Sequence, residues 1–96
     1  MEEIRKLFGL GQVVMTRGVN DKVADDEGFA KFVFDSLKRH ASGDWGDLCE
    51  EDQKENELSL KQGFRILSAY HCNEEKIWII TEADRSATTI LFPQEY

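Results

Sequence analysis

The last third of this 96-residue chain leaves little choice of architecture. Three β-prone runs follow one another there, residues 65–71, 76–81 and 87–92, rich in Ile, Thr and aromatic residues. Short polar segments, 72–75 and 83–86, separate them, and Pro93 ends the third. A parallel neighbour needs a crossover of a dozen or more residues, which these connections lack. The runs therefore form an antiparallel meander. One face of such a sheet has to be covered, and the upstream residues supply helices for it.

The clearest helix spans about 28–40. At 100° per residue Phe29, Ala30, Val33, Phe34, Leu37, His40 and Ala41 fall on one side, with Lys31, Asp35, Lys38 and Arg39 on the other. Lys38 and Arg39 suit the negative end of the helix dipole, and Ser42-Gly43 closes the helix. A second helix is expected from Asp47, as N-cap with Glu50 in capping-box spacing, to about Gln62, with Gly63 as the stop. Upstream, Gln12-Val13-Val14-Met15-Thr16 between Gly11 and Gly18 reads as a short strand pairing with an edge of the meander. Asn20 or Asp21 is expected to cap a helical turn after it. The expected fold is α+β: two main helices packed on one face of a small antiparallel sheet, the three-stranded C-terminal meander plus the short N-terminal strand. Residues 1–96 are expected to form a single domain, and an exposed edge strand in it could support a dimer.

Charge is the next constraint. Asp44, Asp47, Glu50, Glu51, Asp52, Glu55 and Glu57 crowd into fourteen residues with Lys54 as the only base, a local net charge of −6 in a chain of −7. Scattered Lys and Arg weigh against direct nucleic-acid binding, which needs clustered cations. No apolar run reaches the roughly 20 residues of a membrane span. The charged start, Met1-Glu2-Glu3-Ile4-Arg5-Lys6, lacks the apolar core of a secretory signal, so a cytoplasmic chain without a membrane partner is expected. Cys49 and Cys72 are then expected as free, partly buried thiols.

Candidate site residues follow from these patterns. Asp44, Asp47, Glu50 and Glu51 form either a solvated helix start or a docking surface for a partner with a basic surface. Trp45, between glycines and aspartates, is either a plug over the core or an exposed contact. Gln53 and Asn56 share a face with Cys49 and Leu60, so with His40 they could line a polar pocket between helix and sheet. Arg17, Glu82, Asp84 and Arg85 form a candidate binding edge, unless Asp84 bonds the turn backbone and Arg85 pairs with Glu82. His71 and Cys72 are neighbours on a strand and point to opposite faces, poor geometry for joint chelation, so no metal site is expected. Neither a cofactor nor catalytic residues are implied: there is no Walker A, GxGxxG, GxSxG or HExxH pattern.

Several segments together carry a resemblance: Val14-Met15-Thr16-Arg17-Gly18-Val19-Asn20, Gly43-Asp44-Trp45-Gly46-Asp47-Leu48, Trp78-Ile79-Ile80-Thr81-Glu82-Ala83-Asp84-Arg85-Ser86 and Leu91-Phe92-Pro93. From about Leu10 onward the chain resembles a family of short uncharacterised bacterial proteins of plasmids and other mobile elements. Its members are often labelled plasmid-related protein or type I restriction enzyme methylation subunit. The resemblance implies a bacterial mobile-element context and transfers no activity. The methylation label does not fit: one proline excludes an Asn/Asp-Pro-Pro-aromatic motif, and 96 residues are too few for a methyl-donor-binding fold. The expected function is that of a non-enzymatic acidic interaction or accessory protein of a bacterial mobile element. The alternatives are a small-ligand binder or enzyme using the polar pocket, and a DNA-mimicking anti-restriction protein.

Overall fold

The computed structural model describes residues 6–96. Residues 1–5, on which the localisation expectation partly rests, lie outside the described residues. The elements run β1 (Gln12–Met15), α1 (Arg17–Asp25), α2 (Glu27–Ala41), α3 (Glu50–Gln62), β2 (Ile66–Cys72), β3 (Glu75–Thr81) and β4 (Ala87–Leu91), with a 3₁₀ turn at Pro93–Glu95. The architecture is α+β, with helices packed on a four-stranded sheet of order β1-β4-β3-β2. The meander is antiparallel, with Ser68 opposite Ile79 and Ile79 opposite Ile90. β1 joins it beside β4 and runs parallel to it, Val13 opposite Thr88. Parallel pairing is open to β1 because residues 16–86 intervene, ample chain for a crossover.

Alternation along the strands puts Ile66, Ser68, Tyr70, Ile77, Ile79, Thr81, Thr88 and Ile90 on one face, and all are buried. Leu10, Val19 of α1 and Phe29, Val33, Leu37 and Ala41 of α2 close the core against it. α1 is thus a full helix, and its cap is Thr16. Asn20 and Asp21 lie inside it. The reason is that Thr16 ends β1 in extended backbone, free to accept from the Val19 N–H. Asp26 links the helices, bonding the Phe29 N–H at 3.0 Å as the cap of α2. The buried stripe of α2 is rotated from the expected one: Ser36 is buried and Phe32 packs on the core. Phe34 is 47% exposed, with the Lys38 ammonium over its ring. α1 packs against α2.

α3 flanks β2 and buries only Asn56 and Ser59. Its cap is Cys49, with no side-chain bond, and not Asp47. The Asp47 N–H is already committed to the Ala69 carbonyl at 2.7 Å and its carboxylate to His71, so the helix starts after it. The expected stop is observed: Gly63 is left-handed at φ 78° and bonds back to Ser59. Among the described residues no helix is long and apolar enough to cross a membrane.

Candidate functional site

The acidic segment folds largely onto its own partners. Arg39 grips the Asp44 carboxylate through two N–H groups, at 2.7 and 3.2 Å, which holds that carboxyl below its usual range. Asp44 also accepts from the Gly46 N–H, and its carbonyl accepts from the Tyr70 hydroxyl at 2.6 Å. Arg39 stacks over the Tyr70 ring at 4.8 Å. Asp47 meets His71 at 2.6 Å, Glu57 accepts from the Trp45 indole at 2.7 Å, and Glu50 lies 3.5 Å from Lys54. Glu51, Asp52 and Glu55 are left as exposed acids of the segment. A second group of exposed carboxylates, Asp21, Asp25, Asp26 and Glu27, lies on α1 and at the start of α2. Negative charge is therefore not confined to one ridge.

Trp45 is the plug and not the exposed contact: it is 3% exposed, against the Phe8 and His40 rings. Gly46 lets the loop turn inward. At φ 73° a Cβ would collide with the Ala69 carbonyl and lie 2.7 Å from the Tyr70 ring. The two thiols are free as expected, but both are exposed rather than partly buried. Cys49 caps an outlying helix, and Cys72 ends β2 at the hairpin.

The three residues of the expected pocket do not meet. Gln53 is exposed and donates to the Leu48 carbonyl at 2.9 Å. Asn56 lines a shallow 280 Å³ groove with Leu48, Asp52, Glu55, Arg65 and Leu67, which neither Gln53 nor His40 reaches. His40 is fully buried in a chain of its own. Its Nε2 meets the Thr81 hydroxyl at 2.8 Å, Thr81 meets Thr88 at 2.7 Å, and Thr88 donates to the Leu10 carbonyl at 2.7 Å. The direction of each bond follows from that carbonyl, which can only accept. Thr88 spends its proton there, so Thr81 donates to Thr88 and His40 Nε2–H donates to Thr81. Nδ1 is then bare and accepts from the Ser68 hydroxyl. Burial, with a smaller contribution from the Arg85 charge, pushes the imidazole down to about 3, so it is neutral at pH 7. Among the described residues no buried side-chain polar atom lacks a partner, and no three His, Cys, Asp or Glu side chains are grouped to hold a metal.

The candidate edge of Arg17, Glu82, Asp84 and Arg85 is split. Arg17 starts α1 at the Leu91 end of β4, whereas the other three lie in the turn before Ala87. Asp84 accepts from the Ser86 N–H at 3.0 Å, as expected of a turn aspartate. Arg85 reaches the Glu82 carbonyl, not its carboxylate, at 3.1 Å, and goes on to the carbonyls of Phe64 at 2.7 Å and Ser59 at 3.2 Å. It thus ties the C-terminus of α3 to the β3–β4 turn.

Sequence reasoning missed the contrast between the two borders of the sheet. On β2, Asn56 clamps Leu67, accepting its N–H at 3.3 Å and donating to its carbonyl at 2.7 Å. Ala69 is paired likewise by the Trp45 carbonyl and the Asp47 N–H. That border is closed at Leu67 and Ala69. On β1, Gln12 and Thr16 donate inward to Ser86 and Ile90. The ladder alternation then turns the N–H and C=O of Val13 and Met15 outward. Val13, Val14 and Met15 are 42%, 38% and 37% exposed. The available signal was an apolar strand ahead of the meander with no Lys or Pro to blunt it. No family model, curated protein or solved structure matches the chain.

Proposed function

We propose that this chain is a non-enzymatic interaction protein whose contact surface is the outer border of β1. The observation that carries this reading is the pairing of one sealed sheet edge with one open, apolar edge in the same molecule. Open edges template strand addition, with backbone groups supplying affinity and the alternate side chains supplying selectivity. A pocket-based activity has less support: the interior polar groups satisfy each other, and His40, Gln53 and Asn56 go to separate tasks. The acidic segment contributes less than its charge count suggests, because Arg39 and Lys54 offset two of its seven acids, and Asp47 and Glu57 are tied up in hydrogen bonds to His71 and Trp45. DNA mimicry loses support on the same ground. The resemblance to mobile-element proteins favours an accessory role beside a larger assembly.

The test is retention of untagged polypeptides, including a co-expressed copy of this chain, on tagged wild-type protein and on two variants. Val14→Lys alters the β1 edge, and Glu51→Lys with Glu55→Lys alters the acidic helix. Retention that is lost with Val14→Lys and kept with the acidic variant is expected. Retention that follows the acidic variant instead, or survives Val14→Lys, overturns the assignment of the surface.

A further inference from the structure

We infer that the occupant of the β1 edge is β1 of a second copy, paired antiparallel about a two-fold axis through Val14. This rests on the reading of β1 as the contact surface and names its partner. Among the described residues β1 is the open border, because Asn56 and residues 45–47 cover Leu67 and Ala69 on the other. Strand addition between two copies therefore consumes both open borders and stops. The product is a closed dimer with one continuous eight-stranded sheet, whose outer borders are the two β2 strands, covered at Leu67 and Ala69 against further addition.

The register follows from which backbone groups point outward. Val13 and Met15 present theirs, so a two-fold axis at Val14 sets Val13 opposite Met15 of the other copy. These two residues exchange both bonds, and the symmetric pair does the same, so every outward group of Val13 and Met15 is satisfied. Val14 then faces its own counterpart at a non-hydrogen-bonded position, where side chains lie closest. On the helix-covered face the exposed Val13 and Met15 of both copies come together as one apolar cluster.

Charge agrees with this polarity. Arg17 stands at the Thr16 end of β1 with a side chain 95% exposed, held among the described residues only by an exposed 3.9 Å ion pair to Asp21. Glu82 and Asp84 stand at the Gln12 end, beside Ala87. Asp84 is held ionised by bonds from Ser86. Arg85, the base of that turn, is drawn inward to the carbonyls of Ser59 and Phe64. Antiparallel pairing carries Arg17 of each copy towards the acidic turn of the other. Parallel pairing would bring like ends together, leaving Arg17 only the Asp21 carboxylate of its own helix, 3.9 Å away.

Sedimentation equilibrium of the untagged protein is the first measurement. The mass is expected to rise with concentration from 11.1 kDa towards twice that value. Val14→Lys is expected to stay at the single-chain mass with an unchanged far-UV spectrum. The second measurement fixes the register in a Cys49→Ser, Cys72→Ser background, which removes the two exposed thiols. Val14→Cys is expected to give a disulfide-linked dimer on mild oxidation, because facing Cα atoms at such a position lie about 4.5 Å apart. Val13→Cys, whose counterpart is displaced two residues along the strand, is expected not to. A wild-type mass that stays at the single-chain value up to about 1 mM overturns the inference. So does cross-linking of Val13→Cys in preference to Val14→Cys. If the wild type is a lone chain yet retains another polypeptide that Val14→Lys loses, the second copy is ruled out while the β1 surface stands. Loss of both self-association and retention removes both readings.

Discussion

Replacing His40 with glutamine should flatten the acid sensitivity of this fold, by an amount the site geometry sets. The imidazole is fully buried and its two nitrogens lie between Ser68 and Thr81. The chain of hydroxyls ending at the Leu10 carbonyl requires a proton on Nε2 and a bare Nδ1. A second proton on Nδ1 would confront the Ser68 O–H and place a cation among Phe8, Trp45 and the Arg85 charge. The folded protein therefore binds that proton only near pH 3, whereas an unfolded chain binds it near 6.5. The folded value is the lower one, so stability from this group is complete above 6.5 and drains away as the pH falls towards 3. Each unit of that interval removes about 1.4 kcal/mol, so about 2 kcal/mol is lost between pH 7 and pH 5. In a chain of this length that corresponds to roughly 10 °C in Tm.

The carboxylates do not confuse this window. Asp35, Asp44, Asp84 and Glu95 are held below their ordinary values of 3.8 or 4.5, so their contributions are lost only under more acid conditions. His71 is present in both proteins and drops out of the difference. In His40→Gln the amide can still donate to Thr81 and accept from Ser68, without a titrating group. Urea unfolding at pH 7, 6 and 5 reads the result. The wild type should lose about 2 kcal/mol more than the variant over that range. Parallel stability curves for the two proteins would refute both the assigned tautomer and the account of a neutral buried imidazole.

Three further outcomes test how the loops and edges are held. Asn56→Ala should cost about 2 kcal/mol, since both backbone groups of Leu67 lose their partner. Asn56→Asp should do no better, because a carboxylate can accept the N–H but stands against the carbonyl; denaturant midpoints report both. Arg85 sits at φ 61°, a conformation that a β-carbon disfavours, and its guanidinium ties α3 to the turn. Arg85→Gly should therefore be less destabilised than Arg85→Ala, by about 1 kcal/mol in chemical unfolding, although both lose the tie. Gly46→Ala should cost more than about 3 kcal/mol or abolish cooperative melting, since the loop cannot back away from β2 without breaking the Ala69 pairing.

Much of the fold was legible because it depends on local pattern. The meander, the span of α2, the stop at Gly63 and the buried Trp45 all follow from periodicity, turn chemistry or the size of a side chain. The errors occur where a residue answers to a distant partner. Asp47 has ideal capping spacing with Glu50, yet β2 claims its N–H and His71 its carboxylate. Asn56 looked like a pocket amide because its partner is the backbone of Leu67, which no side-chain pattern reveals. The hydroxyls that neutral His40 requires were visible in one respect. Ser68, Thr81 and Thr88 occupy inward positions of strands otherwise filled by Ile and Tyr, and such hydroxyls need a partner on the facing helix.

The parts of the molecule that look most functional in sequence are those most occupied with holding it together. Seven acids in fourteen residues suggest a field, but a field requires charges free of counter-charges. Arg39 takes Asp44 and Lys54 takes Glu50, while His71 and the Trp45 indole hold the carboxylates of Asp47 and Glu57 by hydrogen bonds. These contacts fix the loop between α2 and α3, and this loop supplies the Trp45 carbonyl and Asp47 N–H that cover Ala69. The acidic segment thus closes one border of the sheet, through its placement rather than its charge. Among the described residues nothing comparable is spent on β1, where three apolar side chains and two outward-facing peptide units stand exposed. An elaborate seal on one edge beside a bare one on the other is uneven protection against aggregation, unless association at the bare edge ends itself. Two-fold pairing of β1 does end itself, and the sealed β2 border is what makes it do so.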